Sequence, residues 1–151
     1  MQIKVLDPLS AAAAELLTLS DSYMAALYPA ESNHMESPVA LTLPNVLFLG
    51  IYLDQELAGC GAVKIMQDDD CYGEIKRLYV LDSYRGRGLS KGLMQALEAH
   101  LKEQQVPLAR LETGIFQPEA LALYEKLGYQ YRAPFGTYQL DPLSVFMEKL
   151  L

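Results

Sequence analysis

The run IKRLYVLDSYRGRGLSKGLMQAL, residues Ile75 to Leu97, opens as a strand of β-formers and closes as an amphipathic helix. Between them lies a loop holding Asp82, Ser83, Arg85, Gly86, Arg87 and Gly88. A helix N-terminus presents four backbone N–H groups without intrahelical partners and a partial positive charge, and glycines there let an anion approach the backbone. The loop is therefore suited to hold phosphate. Two familiar phosphate loops fail on spacing. A Walker A loop ends Gly-Lys followed by Ser or Thr, whereas the order here is Ser90-Lys91-Gly92. A dinucleotide fingerprint has glycines at its first, third and sixth positions; here they fall at 86, 88 and 92, one residue late.

Downstream, the apolar positions 89, 93, 94, 97 and 101 keep helical spacing, and the helix is expected to end near Gln105, before Pro107. Leu108 to Thr113 reads as a strand. A helix follows, with Pro118 at its first turn, Gly128 at its C-terminal cap, and Ala120, Leu123, Tyr124 and Leu127 on one face. Tyr129 to Arg132 and Val145 to Lys149 read as final strands, joined by a Pro- and Gly-containing loop. Upstream, Val46 to Leu53 and Leu57 to Met66 form a hairpin about Asp54-Gln55-Glu56. The aspartate-rich turn from Gln67 to Cys71 leads into a third antiparallel strand, Tyr72 to Leu81. The first strand, Gln2 to Leu6, precedes two short helices. Ser10 caps Ala11 to Leu19, and Ser20-Asp21 restart a helix to about Leu27, closed by Tyr28-Pro29. No repeat or low-complexity tract interrupts residues 1–151, which read as a single domain.

Apolar residues make up 51% and charged residues 21%, an ordinary globular composition. A net charge of -7 and a pI near 4.7 argue against nucleic acid or an anionic membrane as the main partner. The cluster Lys76, Arg77, Arg85, Arg87 and Lys91 stands out in so acidic a chain, as an anion site or as a solvated basic face. The N-terminal apolar run is too short for a signal peptide, and Leu41 to Leu53, broken by Pro44, falls short of the ~18 residues of a membrane helix. Cys60 and Cys71 offer neither a disulfide framework nor metal spacing, so a reducing cytoplasm is the expected compartment and no metal is expected.

The motif Arg85-Gly-Arg-Gly-Leu-Ser90 after a strand ending Tyr79-Val80 resembles the acetyl-CoA loop of the GNAT superfamily of N-acetyltransferases. Arg85 and Gly88 match its pattern, and Ser90 departs at the last position. The segment Ala120 to Tyr129, ALALYEKLGY, resembles that superfamily's helical tyrosine motif, and the order β, α, α, β, β, β, α, β, α, β, β is similar to the superfamily's own. The resemblance implies an α+β, α/β/α-layered fold: a mixed, mostly antiparallel sheet of six to seven strands with about four helices. It also implies an acetyl-CoA cosubstrate. Its pyrophosphate would be held by backbone N–H groups from Arg85, Gly86, Arg87, Gly88, Leu89 and Ser90, with Lys91 adding charge. Leu78 and Val80 would pair with the pantetheine amides as if with another strand. Gln117 stands where the family often has Asn, and can still bond to the cofactor with a different reach. Micromolar acetyl-CoA affinity is expected, weakened by a bulky residue at 88. Dimerisation through the last strands is common in the family and is possible here.

Acetyl transfer from a thioester to an amine needs a neutral amine and a proton for the departing thiolate. An alkyl amine of pKa about 10 is neutral about once in a thousand molecules at pH 7, a deficit of roughly 4 kcal/mol that a positioned base can offset. Glu74 is the first candidate for that base, and otherwise an exposed strand glutamate paired with Lys64 or Lys76. Glu112 is the second candidate and also a substrate-facing one. Tyr124 is the candidate acid, because a phenol beside the sulfur stays protonated and can donate; otherwise it is a core residue of its helix. By resemblance the acceptor site falls to Glu31, Asn33, His34, Tyr138 and Asp141, and carboxylates suit a cationic amine. A small-molecule amine is the expected acceptor. A protein or peptide acceptor, and a non-catalytic acyl-CoA sensor, are the alternatives.

Overall fold

A computed structural model describes residues 1–68 and 70–151; of the aspartate-rich turn, Asp69 lies outside the described residues. The strands are β1 (Gln2–Val5), β2 (Val46–Leu53), β3 (Glu56–Met66), β4 (Tyr72–Val80), β5 (Leu108–Gly114), β6 (Gln130–Arg132) and β7 (Ser144–Leu150). They form one sheet in the order β1-β2-β3-β4-β5-β7-β6, antiparallel throughout except where β4 runs parallel to β5. The helices are α1 (Ala11–Leu27), α2 (Leu89–Glu103) and α3 (Pro118–Lys126). α1 packs Ala13, Leu16 and Leu17 onto Phe48, Cys60 and Ala62 of one sheet face. α2 and α3 bury Leu93, Met94, Leu97, Leu101 and Tyr124 against Val63, Ile75 and Leu111 of the other. This is the layered α+β fold expected, with three α-helices among the described residues rather than about four.

The difference lies in α1, a single helix of 17 residues where the sequence suggested two. Ser10 caps it as expected, its hydroxyl accepting from the Ala13 N–H at 3.2 Å. Ser20-Asp21, which reads as a second cap, points sideways instead. Ser20 is buried, and the Asp21 carboxylate accepts from Arg77 Nη1 at 2.5 Å. The β2–β3 turn is tighter than expected, with Asp54 and Gln55 at φ 49° and 68° and β3 starting at Glu56.

The site is made by an irregularity in β4. Its register against β3 slips between Cys60 and Ala62, so that Ala62 faces Lys76 and Cys60 faces Tyr79: β4 carries one extra residue. Arg77 sits there at φ 56°. Such a bulge kinks the strand and resets its alternation. Tyr79 and Leu81 consequently join the α1 face, while Ile75, Leu78 and Val80 join the α2 face. Pairing of β4 with β5 ends at Ile75↔Leu111. Beyond that point the two strands separate, and the gap between them opens a cavity.

Candidate active site

A cavity of about 630 Å³ occupies the gap. Its walls are β4 from Glu74 to Val80, Leu111, Glu112 and Thr113 of β5, and Gln117, Ala120, Leu123 and Tyr124 of α3; Ser20, Tyr23 and Met24 of α1 close one side. Its mouth is the phosphate loop. Gly86 and Gly88 hold φ 78° and 76°, in the left-handed region that glycine adopts without strain, and nothing lies within 4 Å of where a side chain would begin. Gly88 is the N-cap of α2 and supplies no capping side chain, so the first N–H groups of α2 keep their donors for an anion. Leu89, Ser90 and Lys91 of that turn also line the cavity. These are the properties a pyrophosphate needs, and the residues present fit coenzyme A.

The basic residues of the loop divide. The Arg85 Nε donates to the Val80 carbonyl at 3.1 Å, and its guanidinium lies 4.9 Å from the centre of the Tyr23 ring, so Arg85 braces the end of β4 as well as lining the cavity. Arg87 stands over the Tyr84 ring at 5.6 Å, outside the cavity lining. Gln117, at the N-cap of α3, accepts on Oε1 from the Tyr28 hydroxyl at 3.3 Å, and the same hydroxyl accepts from the Phe116 N–H at 3.0 Å. Tyr28 is held in turn by Gly114, since a Cβ there would fall 1.9 Å from the Tyr28 oxygen. Tyr28 thus fixes the cavity wall, a role its place just after α1 in the sequence did not suggest.

Tyr124 is 6% exposed, and its ring lies edge-on to Tyr129 with centroids 6.0 Å apart. Burial first, then the charge of Glu112, push its phenol well above the ordinary tyrosine range, so it remains protonated at neutral pH. Burial also raises the Glu112 carboxyl; the Ser144 hydroxyl, His34 and Lys76 partly offset this, and Glu74 adds to it.

A second cavity, of about 650 Å³, opens on the other side of β4, between the 31–36 segment and the 136–141 loop. Glu31, His34, Tyr138 and Asp141 line it as expected, whereas the Asn33 amide turns back to donate to the Tyr28 carbonyl at 3.3 Å. His34, Met35, Glu74, Lys76 and Tyr138 line both cavities, so these residues form the wall where the two meet. Glu74 is not the exposed strand glutamate that its position in β4 also allowed. Its side chain is 7% exposed, and Oε2 accepts from the Tyr138 hydroxyl at 2.5 Å and from Lys76 Nζ at 3.3 Å. Lys64, its cross-strand neighbour, pairs with Glu36 at 3.7 Å instead. The link between Tyr138 and Glu74 spans 64 residues and carried no local sequence signal.

A glycine-capped helix start with open N–H groups, a gap between strands beside a bulge and a buried phenol lining the same cavity fit an acyl-CoA-dependent transferase. The chain matches the Acetyltransferase (GNAT) family over residues 13–129 and belongs to it. It is an acetyltransferase, with acetyl-CoA as cosubstrate. It is 40% identical over 144 residues to the IAA acetyltransferase of Azospirillum brasilense, covering 95% of this chain and 94% of that one. It is 35% identical over 154 residues to YsnE of Bacillus subtilis, an uncharacterised N-acetyltransferase, covering both chains in full. Among solved structures, an acyl-CoA N-acyltransferase from Klebsiella pneumoniae superposes with a TM-score of 0.84 at 38% identity, covering 99% of this chain and 97% of that one. PaiA N-acetyltransferase from Thermoplasma acidophilum, solved with coenzyme A, shares the fold at a TM-score of 0.75 and 22% identity, covering both chains in full.

Proposed function

We propose that residues 1–151 act as one domain that transfers the acetyl group to a primary amine of a small molecule by direct attack within a ternary complex. The observation that carries this reading is the wall shared by the two cavities, where a carboxylate, Glu74, stands between the donor side and the acceptor side. Acetyl-CoA supplies the activated acyl group and a thiolate leaving group. Glu74 takes the proton that the amine must lose, and Glu112 faces the incoming charge. Tyr124 gives its proton to the departing sulfur.

The acceptor cavity has the volume of a small-ligand pocket. Glu31, Glu36, Asp68, Glu74 and Asp141 line it against Lys64 and Lys76, an excess of negative charge that suits a cationic amine. A peptide acceptor needs an open groove across the sheet, and the 136–141 loop stands in its way. A non-catalytic sensor has no use for a protonated Tyr124 at the donor site. The free thiols of Cys60 and Cys71 accord with the cytoplasm as the compartment. A thiol-release assay with acetyl-CoA across amines, amino acids and peptides tests the proposal. Fast release with a small amine is expected; faster release with peptides, or no acetyl-CoA binding by calorimetry, would overturn it.

A further inference from the structure

We propose that the Tyr138 hydroxyl relays the proton between the acceptor amine and Glu74, so that the base works through a tyrosine. This rests on the amine-acetyltransferase reading above and names a further catalytic residue for it. Glu74 Oε2 is covered by two donors, the Tyr138 hydroxyl at 2.5 Å and Lys76 Nζ at 3.3 Å. Tyr138 lines both cavities beside Glu74 and Lys76. Its phenol oxygen donates its proton to Glu74 and accepts from Lys76 Nζ at 2.9 Å, which leaves one lone pair for an incoming N–H. The ring is held independently of its hydroxyl, with centroids 5.1 Å from His34, 5.3 Å from Phe135 and 5.5 Å from Phe146.

The balance is simple. As the amine nitrogen bonds to the acetyl carbon and the C–S bond breaks, the amine proton passes to the Tyr138 oxygen and the Tyr138 proton passes to Glu74. The sulfur leaves with the proton of Tyr124. Tyr138 ends unchanged; Glu74 returns its extra proton to solvent and Tyr124 regains one from it. Lys76 Nζ, donating to the phenol oxygen at 2.9 Å, steadies that oxygen while two protons are in transit. Burial first, and then the Glu74 charge, hold the Tyr138 phenol above the ordinary range, so the two transfers run together rather than through a lasting phenolate.

The test is a double-mutant cycle with Tyr138→Phe, Glu74→Gln and the pair, using the amine that wild type turns over fastest. Each single change is expected to lower kcat by about a hundredfold, within the range for general acid–base catalysis. The pair should be little slower than the worse single variant, because both remove one relay. Acetyl-CoA affinity by calorimetry should hold within about twofold in Tyr138→Phe, since the ring contacts remain. A Tyr138→Phe kcat within about twofold of wild type, losses that multiply, or a rise confined to the acceptor KM would each overturn the relay. Failure of wild type to acetylate any amine would instead sink the underlying reading and the relay with it.

Discussion

Tyr124→Phe separates the catalytic role of this residue from its structural one because the structure assigns them to different atoms. The ring is buried in the core on the α2 side of the sheet and packs edge-on to Tyr129, and phenylalanine keeps all of that. The hydroxyl makes no hydrogen bond to any described residue. Removing it therefore breaks no internal bond and leaves no buried partner unsatisfied, so the stability change should stay within about 0.5 kcal/mol, a shift of one or two degrees in Tm for a chain of this size. Acetyl-CoA affinity should be unchanged for the same reason. The rate should not be spared. Losing a positioned general acid typically costs ~10² to 10⁴ in rate, or about 3 to 5 kcal/mol of transition-state stabilisation. Thiol release at saturating acetyl-CoA and amine, together with calorimetry and a thermal melt, measures all three quantities. Wild-type turnover in the variant would refute the acid assignment, and a large drop in Tm would return Tyr124 to core duty.

Two further outcomes follow from the loop and from Glu112. In Gly88→Val the new Cβ meets no atom within 4 Å, so the folding cost is chiefly that of a left-handed residue, about 1 to 2 kcal/mol, a loss of a few degrees in Tm. The same side chain stands where phosphate approaches the α2 amides. Loss of one charge-assisted bond, about 1.5 to 3 kcal/mol, should weaken coenzyme A binding roughly ten- to a hundredfold by calorimetry, and equal affinity would remove the loop from the site. For Glu112, burial raises the carboxyl above the ordinary value of about 4.3. The folded protein then binds this proton to higher pH than the unfolded chain, so the site's contribution to stability is complete below about pH 4 and is lost as pH rises through the raised value. Glu112→Gln, which cannot ionise, should exceed wild type in Tm at neutral pH by more than it does at about pH 4; an offset independent of pH would contradict the shift.

The candidate donor side was legible in the sequence because it is local. Ile75 to Leu97 holds strand, loop and helix start in one run, and the face of Ala120, Leu123 and Tyr124 follows from helical spacing alone. The contacts that brace the two cavities are not local. Glu74 meets Tyr138, Tyr28 meets Gln117, and Asp21 meets Arg77 across 64, 89 and 56 residues, and no spacing rule reaches that far. The break expected in α1 is absent for the same reason: Ser20-Asp21 has the composition of a cap, and only the distant arginine shows that its charge is used elsewhere. The hairpin and the three-strand antiparallel meander were readable from turn residues and alternation, but the extra residue in β4 was not, since Lys76-Arg77-Leu78 carries no glycine to mark it.

That unmarked bulge explains why α1 belongs to the donor site rather than merely covering the sheet. A left-handed conformation costs a non-glycine residue about 1 to 2 kcal/mol, so something must hold Arg77 there. Its guanidinium is buried against α1, with Nη1 on Asp21 at 2.5 Å and Nη2 on the Leu17 carbonyl at 3.2 Å, while Nε remains unpaired. A charge so buried is strongly destabilising if its partner is lost, so the anchor is fixed as long as α1 is in place. Its own carbonyl is also engaged, accepting from the Cys60 thiol at 3.3 Å. Both ends of the kink are thereby tied to the α1 side of the sheet, and the strand beyond it is turned away from β5. The backbone edge at Leu78 and Val80, proposed above to face the cofactor, is left unpaired by β5, whose pairing with β4 ends at Ile75, two residues before the kink. The same helix contributes Tyr23 and Met24 to the wall of this cavity.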